Sequence, residues 1–159
     1  MNFKINSNKN ISNDILHDHI INFEESGKIL SDGDRNCIKI FDCNSFQVAI
    51  KSFKKPNFIN KIIYRFFRKS KAKRSFEYAN VLMNKGIGTP MPIAYYECFD
   101  IIGLKESYYV SEHLKVDLTY RDLVQTDYPD GENILRQFTC FSFEMHQKGI
   151  EFLDHSPGN

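Results

Sequence analysis

No stretch of this 159-residue chain carries the roughly 18 to 20 consecutive apolar residues that a membrane-spanning helix needs. The opening segment, MNFKINSNKNISND, is polar and lacks the apolar core of a secretory signal. The four cysteines are scattered without a CxxC pair, which argues against a zinc site or a disulfide framework. These absences favour a cytoplasmic protein. With 42% hydrophobic and 26% charged residues, the composition is that of an ordinary globular domain.

Acidic residues are missing from one long segment. Between Cys43 and Phe76 there is no Asp or Glu, and ten of the 21 basic residues lie there among aromatic and branched side chains. A charge run is most often a solvated face, but the part from Lys54 to Arg74 is also a candidate contact for an anionic membrane surface. We expect no nucleic acid partner. The ten bases are Lys51, Lys54, Lys55, Lys61, Arg65, Arg68, Lys69, Lys71, Lys73 and Arg74.

Strand and turn signals dominate the first part of the chain. Residues 22–30 begin with strand character, SDGDRN predicts a turn, and CIKIF and FQVAIKSF have strand character. The runs in TPMPIAYYECF and ESYYVSEHL predict two further strands. Two helices are predicted between these groups, over about 58–67 and 70–84. Ser70 is the expected N-cap of the second helix, and Gly86 follows its end. Together these signals predict a five-stranded antiparallel sheet with one or two helices.

The last part of the chain changes to helical periodicity. DLTYRDLV predicts a short helix, and residues 131–148 predict a long one with a single apolar face. A β-rich part followed by an α-rich part indicates an α+β fold with two lobes. We therefore expect an N-terminal extension over 1–22, a β-rich lobe over 23–114 and a partial helical lobe over 115–159.

Four motifs occur in an order that phosphoryl transfer would need. Lys51 ends VAIK on a predicted strand, from which an ammonium group can reach nucleotide phosphates. Glu77 lies on a later helix, in a position to pair with Lys51. Asp154 and Asn159 have the spacing of a catalytic loop in which the carboxylate accepts a proton and the amide binds Mg²⁺. Each motif alone is weak, since a strand lysine usually snorkels to solvent and Glu77 beside Lys73 could be an ordinary surface pair.

In combination, the motifs resemble the lipopolysaccharide kinase family, which has a protein-kinase-like fold and phosphorylates Kdo or heptose in the lipopolysaccharide core. The resemblance extends from about residue 23 to residue 159. It is most specific at the end, where DHSPGN is similar to a DLSPGN catalytic loop. The segments that carry it are DGDRNCIKI, VAIKSFKKPN, RKSKAKRSFEYANVL, GIGTPMPIAYYE, SYYVSEHL and MHQKGIEFLDHSPGN.

The resemblance implies ATP and Mg²⁺ as cofactors and a lipopolysaccharide precursor or another sugar as acceptor. It makes Lys51 the residue that anchors ATP and Glu77 its helix partner. Asp154 becomes the catalytic base and Asn159 a metal ligand. A basic segment near such a site would dock the protein on the inner face of the inner membrane and guide the acceptor toward Asp154.

The resemblance also assigns the remaining nucleotide contacts. The SDGDRN turn, with Gly33 as its only glycine, would cover the phosphates, and backbone groups from Glu112 to Leu114 would hold the adenine. A GxGxxG loop is missing from this turn. Phe152 and Leu153 stand where protein kinases have His and Arg, which favours acceptors other than proteins.

Kinases of this type have a second metal-binding Asp some residues after the catalytic loop. This sequence ends at Asn159, the last residue of DHSPGN, and therefore does not contain that Asp. We therefore expect these residues to be the front part of a kinase, inactive by themselves. Two alternatives stay open: a non-catalytic kinase remnant that at most binds nucleotide or membrane, and a protein or small-molecule kinase of the same fold.

Overall fold

The computed structural model describes residues 1–6, 11–44 and 46–151, which form six β-strands and five α-helices. The chain divides into two compact units, Met1–Leu114 and Lys115–Asn159. The first unit contains all six strands. In chain order the elements are β1 Asn2–Ile5, α1 Asn13–Ile21, β2 Lys28–Gly33, β3 Asn36–Cys43, β4 Phe46–Phe53, α2 Phe58–Phe66, α3 Lys71–Asn84, β5 Pro92–Phe99, β6 Leu104–Glu112, α4 Tyr120–Gln125 and α5 Gly131–Gln147.

The α+β class is confirmed, but the strand count was wrong. The strands form one sheet in the order β1-β5-β6-β4-β3-β2, and all neighbours are antiparallel. The sixth strand is β1, in which Asn2 lies opposite Glu97 and Ile5 opposite Ala94 of β5. Four residues are too few to show strand periodicity, and β1 obtains its hydrogen-bond partners from the edge of β5.

The turn between β2 and β3 is tighter than SDGDRN suggested. Ser31 to Gly33 belong to β2, Asn36 opens β3 opposite Gly33, and only Asp34 and Arg35 connect the strands. Two-residue connections are the common length for antiparallel neighbours. The polar composition indicated a turn correctly but did not show how far the ladder continues into it.

The helix α1 covers one face of the sheet, and α3 covers the other. On the first face, Leu16 and Ile20 of α1 join a cluster that contains Val48 and Ile50 of β4 and Tyr96 of β5. Leu16 is completely buried. The segment before residue 23, expected only as an extension, therefore supplies one wall of the core.

On the second face, α3 packs mainly on β5 and β6. Ala72 and Phe76 of α3 form a small buried cluster with Tyr95, and the Phe76 and Tyr95 ring centroids are 5.4 Å apart. The predicted N-cap is confirmed, because Ser70 Oγ accepts a hydrogen bond of 3.0 Å from the backbone N–H of Lys73. This cap fixes where α3 begins against the sheet.

The second unit consists of α4 and α5 in its described part. A capping box at Thr119 and Asp122 begins α4, and Gly149, with φ of 69°, follows the end of α5. The Tyr120 and Phe138 rings lie 5.4 Å apart. In the described ranges, no helix combines the length and the apolar character required to cross a bilayer.

If α1 belongs to the core, shortening Leu16 must destabilise the fold. We expect Leu16→Ala to lower the free energy of unfolding by about 3 kcal/mol, because it leaves a cavity under the sheet. Ile21→Ala is the matched control on the same helix: the Ile21 side chain is 67% exposed, and its loss should change stability by less than about 0.5 kcal/mol. Equal effects in urea denaturation would remove α1 from the core.

Candidate functional site

Lys51 lies on β4, inside the sheet, where it is opposite Ile38 of β3 and Tyr109 of β6. Side chains alternate between the faces of a strand. Because Val48 and Ile50 enter the core on the α1 side, Lys51 projects to the face that carries α3. Because β4 is paired on both sides, the backbone of Lys51 is fixed in the sheet.

Lys51 has no carboxylate partner among the described residues. The side chain is half-buried, and its Nζ lies 5.4 Å from the centroid of the Phe53 ring. Burial, and secondly the positive charge of Lys71, lower the pKa of Lys51. An anion bound beside Nζ would offset both unfavourable effects.

An apolar surface adjoins Lys51 on the same face. Residues directly opposite one another in adjacent strands share a face, so Ile38 lies beside Lys51 and Ile40 beside Ala49. Ile38, Ile40 and Ala49 are all half-buried. We call these three side chains the apolar floor. A flat aromatic ring and an attached anionic group would find complementary surfaces in the apolar floor and the Lys51 ammonium.

Glu77 has a different partner from the one expected. Lys69 Nζ donates hydrogen bonds of 3.0 Å and 2.8 Å to Glu77 Oε1 and Oε2. The predicted pair of Glu77 with Lys51 is therefore not formed in this structure. Lys69 comes directly before the Ser70 cap, and the first turns of α3 bring Glu77 within its reach, whereas Lys51 Nζ lies beside the Phe53 ring.

Gly33 ends β2 and is exposed. Its partner Asn36 lies opposite Phe53, two residues along β4 from Lys51, so the β2–β3 turn projects beyond the Lys51 position. A Cβ atom at Gly33 would meet only the carbonyl oxygen of Asn36, at 3.8 Å. The local packing therefore does not require glycine here.

The expected adenine-binding segment follows the end of β6. The backbone N–H of Glu112 donates to Met91 O and that of His113 to Gln47 O, both at 2.9 Å. These bonds tie the segment to the sheet as far as His113. Leu114 is exposed and is the last residue of the first unit.

Asp154 and Asn159 lie outside the described residues, so their predicted roles in proton transfer and metal binding stay predictions. Within the described ranges, no group of three or more His, Cys, Asp or Glu side chains is arranged to hold a metal ion.

A basic cavity of about 290 Å³ lies near Lys51, between β4, β6, α2 and the start of α3. Its walls include Lys54, Lys55, Phe53 and Lys71. The volume is just below the roughly 300 to 1,000 Å³ typical of ligand pockets, so the cavity suits an anionic group better than a whole nucleotide. The sequence showed that this segment is basic. It contained no signal that Lys71 approaches Lys51, because that proximity depends on how α3 packs on the sheet.

One comparison with known proteins gives information about the fold of this chain. No protein-family model and no curated protein matches the sequence. Among solved structures, the chain is similar to WaaP in complex with acyl carrier protein, with a TM-score of 0.55 and 12% sequence identity. The alignment covers 92% of this chain and 57% of the WaaP chain, so this chain spans little more than half the length of that relative. At this identity the likeness concerns the fold alone, and it supports a kinase-like fold.

Replacing Lys51 by an uncharged side chain of similar length should stabilise the free protein. We expect Lys51→Met to raise the free energy of unfolding near neutral pH, because it removes a half-buried charge that has no carboxylate partner among the described residues. Because the pKa of Lys51 is lowered in the folded protein, Lys51 loses its proton at a lower pH in the folded state than in the unfolded state. The gain should therefore shrink as pH increases toward the pKa of an unfolded lysine, about 10.4.

Lys39→Met is the matched control on the neighbouring strand. Lys39 is buried, but its Nζ donates to the carbonyl oxygens of Phe23, Glu24 and Ser26 at 2.6, 3.0 and 3.2 Å. Removing the Lys39 ammonium leaves three carbonyl oxygens without their hydrogen-bond donor. We therefore expect the free energy of unfolding to fall by about 2 kcal/mol or more. A comparable loss from Lys51→Met would show that Lys51 has a partner in the free protein.

Proposed function

We propose that this chain is part of an ATP-dependent kinase that phosphorylates a sugar hydroxyl, Kdo or heptose, of the lipopolysaccharide core. The observation that carries the proposal is the half-buried ammonium of Lys51, which lies beside the apolar floor and has no carboxylate partner among the described residues. The motif order of the sequence and the fold similarity to WaaP support the same conclusion. The acceptor rests on the sequence resemblance to lipopolysaccharide kinases.

In this proposal the nucleotide lies across the α3-side face of the sheet. Lys51 binds phosphate oxygens, and its unfavourable burial is relieved when an anion arrives. The purine packs on the floor side chains Ile38 and Ala49, near the backbone from Glu112 to Leu114. Gly33 and the β2–β3 turn would then lie beside the phosphates. Specific recognition comes from few polar groups against an apolar surface, as in most cofactor sites.

The chemical step belongs to Asp154 and Asn159. Asp154 accepts the proton of the attacking sugar hydroxyl, and Asn159 is a ligand of Mg²⁺. The metal, when bound, neutralises charge on the transferred phosphoryl group. Positioning and electrostatic stabilisation account for most of the catalysis in reactions of this type.

Glu77 has a conditional role in this proposal. In the present structure its carboxylate is held by Lys69. Pairing with Lys51 would require Glu77 to exchange one lysine for the other. Both ends of the Lys69–Glu77 pair reach solvent, with side-chain exposures of 57% and 35%, so this bond is weak enough to be exchanged.

A nucleotide-binding protein without transferase activity is the second candidate. The site around Lys51 would serve such a protein equally well, because it contains no catalytic acid or base among the described residues. The two candidates differ in whether phosphate reaches a sugar. A protein or small-molecule kinase of the same fold would transfer phosphate to another acceptor.

The nucleotide part of the proposal predicts that Lys51→Met weakens binding of ATP with Mg²⁺ at least tenfold, while raising thermal stability. Isothermal titration calorimetry measures the affinity. Lys4→Met, at an exposed position on β1, is the matched control and should bind as the parent protein does. ATP binding that is undetectable in the parent protein, or unaffected by Lys51→Met, would refute the assignment.

The transfer part predicts that a protein containing these residues phosphorylates a lipopolysaccharide core acceptor from labelled ATP. Asp154→Asn should then reduce the transfer rate by about 10²-fold or more and leave ATP affinity within a few-fold. Retained ATP binding without transfer to any core sugar would favour the non-catalytic candidate. Full activity of Asp154→Asn would show that the base is wrong.

A further inference from the structure

The helix α2 is attached to the sheet by its polar side. Lys61 Nζ forms an ion pair of 2.6 Å with Asp100 Oδ2, and Arg65 donates to the carbonyl oxygens of Asp100 and Ile101 at 3.3 and 2.7 Å. The hydrogen bond from Lys61, followed by that from the Gly103 N–H, lowers the pKa of Asp100 to about 2, so this carboxylate stays ionised. The contact between α2 and the β5–β6 loop is therefore an ionic one.

Close backbone packing reinforces this attachment. A Cβ atom on Gly103 would come within 2.5 Å of the Lys61 carbonyl carbon, so only glycine permits the helix to approach the β5–β6 loop this closely. Asn60 and Tyr64, on the same side of α2, line the basic cavity beside Ser107 of β6. The orientation of α2 is thus fixed by its polar residues.

The apolar side of α2 consequently faces outward. In a helix, residues three, four and seven or eight positions apart share a face, and Phe58, Ile59, Ile62 and Phe66 follow this spacing. No residue of α2 is buried. Ile59 and Phe66 are each 68% exposed, and Phe67, directly after the helix, is 84% exposed. A globular protein normally turns this face of a helix toward its core.

The neighbouring loop extends the same apolar surface. Ile101 is 97% exposed, and its carbonyl group binds Arg65 of α2, which places it next to the helix. We use the term outward patch for the side chains of Phe58, Ile59, Phe66, Phe67 and Ile101. A concentrated, exposed apolar surface of this kind indicates a binding surface.

The charge around the outward patch selects its partner. The segment Lys54–Arg74 has nine bases and no acid. Three of them pair with carboxylates, Lys55 with Glu106, Lys61 with Asp100 and Lys69 with Glu77. The other six have no ion-pair partner among the described residues. Two such surfaces would repel one another, so a second copy of the chain fits poorly, whereas an anionic surface is attracted.

We propose that the outward patch inserts into the headgroup region of an anionic lipid bilayer, with α2 lying parallel to the membrane plane and those bases of Lys54–Arg74 that have no carboxylate partner among the described residues contacting lipid phosphates. An amphipathic helix with aromatic and branched side chains on one face and bases near it has the composition of interfacial helices. Each basic residue near an anionic leaflet adds to the attraction, and salt weakens it. The proposal stands independently of kinase activity, because no step of it involves a nucleotide.

Vesicle flotation tests the apolar contribution. The chain should float with phosphatidylcholine vesicles that contain about one third phosphatidylglycerol, and much less with phosphatidylcholine alone. Ile59→Ser combined with Phe66→Ser should lower the partition coefficient at least about tenfold, since two large apolar groups are lost. Ile21→Ser is the matched control, because Ile21 has nearly the same exposure, 67%, on α1; it should bind as the parent protein does.

A tryptophan reporter tests insertion itself. The sequence has no Trp, so a single introduced indole reports its own surroundings. The emission of Phe67→Trp should shift to shorter wavelength when anionic vesicles are added, while Phe3→Trp, exposed on β1, should not shift. These conservative substitutions keep the test valid if the serine variant proves unstable in thermal denaturation.

Three results would overturn the proposal. The first is vesicle binding that the double serine substitution leaves unchanged, and the second is a Phe67→Trp emission that does not respond to vesicles. The third is a chain that ignores vesicles but forms a dimer in light scattering, or binds polyglutamate, through residues of the outward patch. That result would assign the surface to a second copy or to an acidic protein.

Discussion

The antiparallel pairing of β4 between β3 and β6 is the constraint on which the rest of the first unit depends. The alternation along β4 sends Val48 and Ile50 into the core under α1 and sends Lys51 to the opposite face. A one-residue slip would put the lysine into the apolar core. The sheet therefore holds a cation at a fixed place on the α3 side, half-buried and without a carboxylate partner among the described residues.

Lys39 and Lys51, on the adjacent strands β3 and β4, have very different surroundings for their charges. Lys39 Nζ is surrounded by three carbonyl oxygens and ties the segment after α1 to β3. Lys51 has an aromatic ring and another lysine nearby instead. The first arrangement stabilises the fold, whereas the second leaves part of the desolvation cost unrecovered. Residues kept in such a condition are common at functional sites.

Local patterns predicted much of this structure. The Ser70 cap, the bounds of α3 and α5, and the strand around Lys51 followed from capping residues and periodicity. The strand β1 was missed, because four residues carry too little pattern. The orientation of α2 was equally beyond reach: its periodicity shows two unlike sides, but only Gly103 and Asp100, about 40 residues later, decide which side faces the sheet. The ionic partner of Glu77 likewise depended on tertiary packing.

We infer that Lys51 is a charged ammonium group that binds an anionic ligand. Titration of the lysine side chains by NMR, with Lys51→Met identifying the Lys51 signal, tests this directly. The account predicts that the pKa of Lys51 lies below that of the exposed lysines in the free protein and rises when ATP and Mg²⁺ bind. A pKa for Lys51 equal to that of the exposed lysines and unchanged by nucleotide would contradict it.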